Sequence, residues 1–158
     1  MELIYRGSRD GTTSTIFHNK CDNKGPTIIL YKNEKGNIFG GYCPISWQSE
    51  GGFKSIPEAF IFTLTNIYNI EPTKFNSTND QYGILFDSKH GPRFGRNPNI
   101  GFIYDYSKDN NCFSAFGDPG CISYEDSLGK GKSIFTGDLN NNNKYYKICE
   151  IEGFKLFK

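Results

Sequence analysis

Apolar and polar side chains alternate along several short stretches of this chain, and such alternation is typical of half-buried β-strands. Three stretches show it, with one face formed by Phe60, Phe62 and Leu64, by Tyr82, Ile84 and Phe86, and by Phe102, Tyr104 and Tyr106. A fourth stretch begins at Tyr146 and ends at Leu156, but Glu150 and Glu152 interrupt its phase. A β-bulge in the middle of that strand would reconcile its two halves.

A β-hairpin is predicted in the first third of the chain. Residues 27–32 are β-branched and apolar, residues 33–36 have the composition of a turn, and residues 37–43 form the return strand. Gly40 and Gly41 lie inside the return strand, where glycine weakens strand structure. Because close approach of another backbone or a bulge is the usual reason for such glycines, we interpret both as structural.

A short helix is predicted over residues 14–21. Any of residues 12–14 can cap its first turn. Residues 23–26 end it, because glycine accepts a left-handed conformation there and proline cannot continue a helix. The predicted inward face is formed by Ile16, Phe17 and Cys21.

Together these elements predict an α+β fold that is mainly β, with two antiparallel sheets packed as a sandwich and one or two short helices on its flank. The composition agrees, because 14 Phe and 10 Tyr suit pleated surfaces, and 18 Gly and 7 Pro supply frequent turns. The chain has 158 residues and no internal repeat or linker, so we predict a single domain over residues 1–158.

The charge balance and hydropathy exclude several classes of partner. The chain has 18 basic and 17 acidic residues, a net charge of +1, and no long basic run. A nucleic-acid-binding protein normally shows a basic patch or stripe, so we predict no nucleic-acid partner. No apolar run approaches the roughly 20 residues that cross a bilayer, and no segment resembles a signal peptide. We therefore predict no membrane insertion and a cytoplasmic location.

The cysteines do not form a disulfide framework or a recognisable metal site. They are Cys21, Cys43, Cys112, Cys121 and Cys149, an odd number without a Cys-x-x-Cys pair. This predicts reduced and mostly buried thiols. His18 and Cys21 would share one helix face and supply half of a zinc site, but no further ligand has suitable spacing. Packing is the favoured interpretation, and we expect no metal and no cofactor.

Candidate catalytic motifs are weak. A cysteine nucleophile with a histidine base stays open, although no nucleophile signature surrounds any cysteine. The GKGKS sequence at residues 129–133 lacks the first glycine of a phosphate loop, and residues 134–138 are predicted as strand and turn. Glu150 and Glu152 lie about 7 Å apart on a strand, but two solvated acids on an exposed edge are favoured over a catalytic pair. We predict that the chain is not an enzyme.

Five phrases in fixed order carry a family resemblance. They are YRGSRDG at residues 5–11, FHNKCDNKGPT at residues 17–27, IFGGY at residues 38–42, GPRFG at residues 91–95 and KICEIE at residues 147–152. Together they resemble the TLDc domain of the oxidation-resistance proteins, which implies the same β-rich architecture. Family members usually carry a helical segment before the first phrase. That segment is missing here, so we expect a short member or a trimmed fragment.

The resemblance implies a protein-binding domain linked to oxidative-stress resistance, with the vacuolar-type proton-pumping ATPase as partner. The candidate partner surface is Arg9, Asp10, Glu150 and Glu152, although Asp10 can also cap a helix and Arg9 can pair with a carboxylate. The glycines interpreted as structural are Gly11, Gly40, Gly41 and Gly95. Two alternatives stay open: a thiol-dependent redox protein or enzyme, and a scaffolding module of a larger protein. The sequence leaves the oligomeric state undetermined.

Overall fold

The computed structural model of this chain describes residues 1–140 and 143–157. Its elements, in chain order, are β1 (Glu2–Arg6), α1 (Gly7–Asp10), α2 (Ser14–Cys21), β2 (Thr27–Asn33), β3 (Ile38–Cys43), β4 (Gly52–Lys54), β5 (Phe60–Thr65), β6 (Thr73–Asn76), β7 (Ile84–Phe86), β8 (Arg93–Phe94), α3 (Ser133–Thr136) and β9 (Ile148–Lys155).

The strands form two antiparallel sheets. The large sheet has the order β1-β9-β2-β3-β5-β6, and the small sheet has the order β4-β7-β8. This confirms the predicted fold class, which is mainly β with a few short helices. The last strand, β9, lies between β1 and β2, so the two ends of the chain meet inside one sheet. Residue 158, which closes the predicted domain, lies outside the described residues.

The core lies between the inner face of the large sheet, α2 and the small sheet. The register across the large sheet aligns Ile29, Gly41 and Ile61 in one inward row, and all three are buried. Trp47 is fully buried in the space between the layers. Its ring centroid lies 5.5, 5.6 and 5.7 Å from those of Phe17, Phe86 and Phe94. One indole therefore joins the helix to the small sheet.

The helix predicted over residues 14–21 is confirmed as α2. The Ile16 N–H donates to Thr13 Oγ1 at 3.3 Å, so Thr13 is the cap among the three candidates. Phe17 and Cys21 are buried as predicted, whereas Ile16 is half-buried. Within the described ranges no helix is long and apolar enough to cross a membrane.

The hairpin and the bulge are also confirmed. Strands β2 and β3 pair over residues 27–32 and 38–43. Where β2 meets β9, Lys32 pairs with Glu150 but Asn33 pairs with Ile148, which leaves Cys149 as the extra residue of a bulge. The bulge corrects the phase of β9, so Ile148 and Ile151 both face the core, where they are 8% and 0% exposed.

The strand β5 is confirmed, but its alternation is a poor guide to its buried face. The predicted apolar face is formed by Phe60, Phe62 and Leu64. The opposite face is the deeper one, because Ile61 and Thr63 are 0% exposed while Leu64 is 39% exposed. On the outer face the Phe60 ring lies 5.1 Å from that of Tyr42, and Lys74 Nζ lies 5.0 Å above it. Neighbours on the sheet surface therefore shield this ring.

The strand predicted over residues 102–106 is wrong. Tyr104 has a φ of +59° and is 54% exposed, so the chain turns where a strand would stay extended. Its backbone groups bond to separate segments: the Ser14 N–H donates to the Tyr104 carbonyl, and the Tyr104 N–H donates to that of Lys89. Single bridges thus replace a strand ladder. The alternation around Ile84 does form β7, which is shorter than predicted.

The strand and turn predicted over residues 134–138 are also wrong in part. Residues 133–136 form the one-turn helix α3, and Gly137 ends it with a φ of +75°. Ile134 and Phe135 are consecutive and both fully buried. A short apolar pair of this kind has no periodicity by which a strand can be distinguished from a helix.

The four glycines interpreted as structural occupy two kinds of position. A Cβ on Gly41 would overlap a buried phenylalanine ring of β8, and a Cβ on Gly40 would overlap a backbone carbonyl of β2. Gly11 and Gly95 have φ values of +128° and +92°, which L side chains rarely adopt. Larger side chains would therefore strain the chain at all four positions.

Candidate functional site

The four residues of the predicted partner surface come together where α1 meets β9. Strand β1 pairs with β9 so that Arg6 lies opposite Glu152. The helix α1 begins at the next residue, Gly7, and therefore lies over the adjoining part of β9. We call this group of residues the charged junction: Arg6, Ser8, Arg9, Asp10, Glu150 and Glu152.

An ion pair joins the first and last strands at the charged junction. Arg6 Nη2 donates to Glu152 Oε2 at 2.8 Å, and Arg6 Nε donates to the same oxygen at 3.2 Å. The two side chains are 44% and 25% exposed, so water screens the pair in part. The pair therefore strengthens the pairing of β1 with β9 while leaving one guanidinium edge accessible.

Glu150 binds the first turn of α1. The Ser8 N–H donates to Glu150 Oε1 at 3.0 Å, and the Ser8 hydroxyl bonds to the other carboxylate oxygen. The first N–H groups of a helix lack partners within the helix, and a carboxylate there is favoured by the helix dipole. Glu150 thus serves as a cap supplied from a distant strand. Ser8 and Arg6 were not among the predicted residues.

Asp10 and Arg9 bind each other. Arg9 Nε and Nη2 each donate to one Asp10 oxygen at 2.8 Å, and the Arg6 N–H donates to Asp10 Oδ2 at 2.9 Å. Hydrogen bonds from the Arg9 guanidinium, with that from the Arg6 N–H, lower the pKa of Asp10 to about 2. The Asp10 side chain therefore accepts the N–H of Arg6, the residue before α1, and it is Thr13 that caps α2.

The geometry corrects one expectation about the two glutamates. They were expected on an exposed strand edge, but β9 is an interior strand, and each carboxylate accepts hydrogen bonds from its own chain. Recognising Arg6 and Ser8 as their partners requires knowing that the first and last strands pair. That information is not local to either segment.

The buried histidine of α2 forms hydrogen bonds within the fold through both ring nitrogens. His18 Nδ1 lies 2.7 Å from Asp22 Oδ1, and Nε2 lies 2.9 and 2.8 Å from the carbonyl oxygens of Asp87 and His90. Ser49 Oγ donates to the other Asp22 oxygen at 2.6 Å. Both ring nitrogens are occupied, which leaves neither for a metal ion or for a nucleophile.

Four of the five cysteines are buried. Burial raises the pKa of the Cys43 and Cys112 thiols to about 12 and that of Cys121 to about 11, and it raises the pKa of Cys21 further. Thiols with raised pKa values are poor nucleophiles at neutral pH. Cys149 is the exposed one. In the described part of the chain, no three His, Cys, Asp or Glu side chains are grouped to hold a metal.

A polar cleft of about 290 Å³ is lined by Glu34, Lys108, Asp109, Asn110, Asn143, Tyr145, Tyr146 and Lys147. These described lining residues include no serine, cysteine or histidine, so they offer no conventional nucleophile–base pair.

Sequence comparison matches residues 1–156 to the TLDc domain family. MTOR-associated protein MEAK7 of Danio rerio is 31% identical over 62 residues, which cover 39% of this chain and 14% of that protein. The protein of the same name from Gallus gallus is 27% identical over 122 residues, which cover 73% of this chain and 25% of that protein. This chain therefore spans a quarter or less of the length of these two relatives.

Proposed function

The chain belongs to the TLDc domain family, and on that premise we propose that it acts in the cytoplasm by binding a protein partner and not by catalysis. The observation that carries the proposal is how its reactive side chains are used. His18 has both ring nitrogens bonded within the fold, and four of the five thiols are buried. Side chains that are bonded or buried within the fold stabilise a binding domain and are not free to act in catalysis.

Two partners are proposed for the first experiments. The vacuolar-type proton-pumping ATPase follows from the resemblance to the oxidation-resistance proteins, and with it a role in oxidative-stress resistance. An mTOR-containing complex follows from the names of the two relatives, which describe those proteins as MTOR-associated.

The test uses the purified chain and vesicles that carry the purified proton pump. We expect the chain to co-sediment with the vesicles and to change their rate of ATP hydrolysis. Cys149→Ser should leave both effects unchanged, because binding does not require a thiol. The mTOR-containing complex is tested for capture in the same way. Failure of the chain to bind either partner would contradict the proposal.

The redox alternative is favoured by one observation, the exposure of Cys149 at the bulge of β9. In that case peroxide would oxidise the Cys149 sulfur to a sulfenic acid with release of water, and added dithiothreitol would reduce it again. Peroxide consumption that requires Cys149, together with absent pump binding, would establish this alternative. The scaffolding alternative is tested by asking whether the natural gene product has further domains, as the longer relatives suggest.

A further inference from the structure

The outer face of the small sheet carries an arginine that points away from the core. In the register of β4, β7 and β8, Phe53 pairs with Leu85 and Leu85 pairs with Arg93. The neighbouring row contains Ile84 and Phe94, which are both fully buried. Since side chains alternate along a strand, the row of Phe53, Leu85 and Arg93 lies on the opposite face, where Leu85 is buried and Phe53 and Arg93 are partly exposed.

Two arginines and two aromatic rings form a continuous stack on this face. Arg93 Cζ lies 5.5 Å from the ring centroid of Phe53, and Arg96 Cζ lies 4.5 Å from that of Tyr82. The Phe53 and Tyr82 rings meet edge to face with centroids 5.2 Å apart. Cations within about 6 Å of an aromatic face are attracted to it. We call these four residues the arginine ladder.

Backbone contacts hold the ladder in place. Arg93 Nε donates to the Gly95 carbonyl oxygen at 3.3 Å, and Arg93 Nη2 donates to the Arg96 carbonyl oxygen. The positive φ of Gly95 turns the chain so that Arg96 returns to the same face. A guanidinium held by stacking and by carbonyls loses little conformational freedom when it binds a ligand.

Neither guanidinium of the ladder pairs with a carboxylate of the described residues. The ion pairs found in residues 1–140 and 143–157 involve Arg6, Arg9, His18, His90 and Lys132. The nearby acids are engaged elsewhere: Asp80 accepts from the Tyr82 N–H, and Asp87 accepts from the Lys89 N–H and lies 3.4 Å from His90. Burial lowers the pKa of Arg93, and the Asp87 carboxylate, which forms no ion pair with this guanidinium, opposes that shift in part.

We propose that the arginine ladder binds a short segment rich in glutamate or aspartate on a protein partner. This rests on the proposed function and adds the chemistry of the bound segment. The Arg96 guanidinium offers a planar fork that matches a carboxylate with two parallel hydrogen bonds. Nε and Nη2 of Arg93 already donate to carbonyl oxygens, so Arg93 offers a ligand its Nη1 group. The aromatic rings beside it supply apolar contact for the stems of the acidic side chains.

An acidic peptide fits the ladder better than a nucleic acid does. Nucleic-acid affinity comes from neutralising many phosphates along an extended basic surface. The chain has a net charge of only +1, and the ladder contributes two cations, Arg93 and Arg96. Two cations suffice for two carboxylates of one short segment.

The test measures fluorescence anisotropy of a fluorescein-labelled peptide of alternating glutamate and serine. The control peptide has glutamine in place of glutamate, and a labelled oligothymidine tests for nucleic acid. We expect the chain to bind the glutamate peptide, and Arg93→Gln with Arg96→Gln to weaken binding about tenfold or more. The single variant Arg96→Gln, at an exposed position, should also weaken it and cannot disturb the core.

A matched control removes the same charge elsewhere. Lys20→Gln with Lys24→Gln changes two exposed lysines and should alter peptide affinity by less than about twofold. Equal loss in this control would show that net charge alone attracts the peptide, and would overturn the proposal. So would absent binding, equal binding of the glutamine peptide, or stronger binding of oligothymidine through the same arginines.

The proposed function can fail separately. If the chain captures the proton pump and the arginine variants capture it equally well, the ladder is not the contact surface while the binding function stands. If the chain captures neither candidate partner but binds the glutamate peptide through Arg93 and Arg96, the ladder is confirmed and the proposed function fails.

Discussion

At the charged junction every carboxylate accepts hydrogen bonds from its own chain, whereas at the arginine ladder neither guanidinium pairs with a carboxylate of the described residues. Arg6 binds Glu152 across two strands, but Arg96 lies over the ring of Tyr82. A charged residue near others of opposite sign is therefore often already bonded within the fold. Residues available to a partner are those whose counter-charge is missing.

The greatest loss of stability is expected from a substitution in the core beneath the ladder. Gly41 faces the Phe94 ring, and Phe94 follows Arg93 in β8. We expect Gly41→Val to lower the free energy of unfolding by about 3 kcal/mol or more, because a buried side chain has no space there. Urea unfolding measures this, with Thr65→Val on an exposed strand position as control. An unfolding midpoint equal to that of the control would mean that the core rearranges to accommodate the added side chain.

Charge reversal at the junction should cost less but still lower stability. Glu150→Lys with Glu152→Lys removes the cap of α1 and places two cations near Arg6. We expect a loss of about 2 kcal/mol, roughly 1 for each partly exposed charged hydrogen-bonded group.

This outcome differs from what the sequence predicts, namely that both glutamates are solvated acids on an exposed edge. The matched control is Glu58→Lys with Glu71→Lys, since both side chains are exposed and have no ion pair in the described structure. Equal unfolding midpoints for the two double variants would show that Glu150 and Glu152 do not stabilise the fold.

A single cap contact gives a smaller effect. Ser8→Ala removes the hydroxyl that bonds to Glu150 but keeps the Ser8 N–H bond to the same carboxylate. We expect a loss of about 0.5–1 kcal/mol in urea unfolding. Ser127→Ala, which changes an exposed serine in a turn, is the control. No difference between the two variants would show that the hydroxyl bond is incidental.

The smallest effect is a change in acid stability. The pKa of Asp10 is lowered to about 2 in the folded chain from an ordinary value of 3.8. The Asp10 carboxylate therefore stabilises the fold above about pH 4, and this contribution is lost as the pH falls toward about 2. Asp10→Asn should flatten this part of the difference in stability between pH 5 and pH 2.

The arginine ladder supplies the contrast in the same titration. Arg93→Gln with Arg96→Gln should keep the wild-type pH profile, because guanidinium groups stay charged throughout this range. An Asp10→Asn profile parallel to that of wild type would mean that Arg9 and Arg6 contribute nothing to stability through Asp10.

Local signals in the sequence predicted the local elements. Thr13 and the glycine–proline stop define α2, and the interrupted phase at Glu150 located the bulge of β9. The wrong strand at residues 102–106 has good alternation, but the left-handed Tyr104 and single bridges to distant segments prevent a ladder. Periodicity reports which side chains are apolar and not which backbone groups find partners.

The candidate site depended on long-range pairing, and this limited what the sequence alone offered. Arg9, Asp10, Glu150 and Glu152 were predicted as one surface, and the structure brings them together with Ser8 and Arg6. Their hydrogen bonds follow from the pairing of β1 with β9, whose register no local pattern fixes. The ladder was missed for the same reason, because the pairing of β7 with β8 sets the face on which Arg93 lies.

The division between the two regions is tested most directly by two single charge reversals, Glu152→Lys at the junction and Arg96→Glu at the ladder. Each is measured by urea unfolding and by binding of the glutamate peptide. We predict that Glu152→Lys lowers the free energy of unfolding by about 1 kcal/mol and retains binding, while Arg96→Glu changes stability by less than about 0.5 kcal/mol and weakens binding about tenfold. The reverse result, a destabilising Arg96→Glu with unchanged binding and a neutral Glu152→Lys that loses it, would contradict this division.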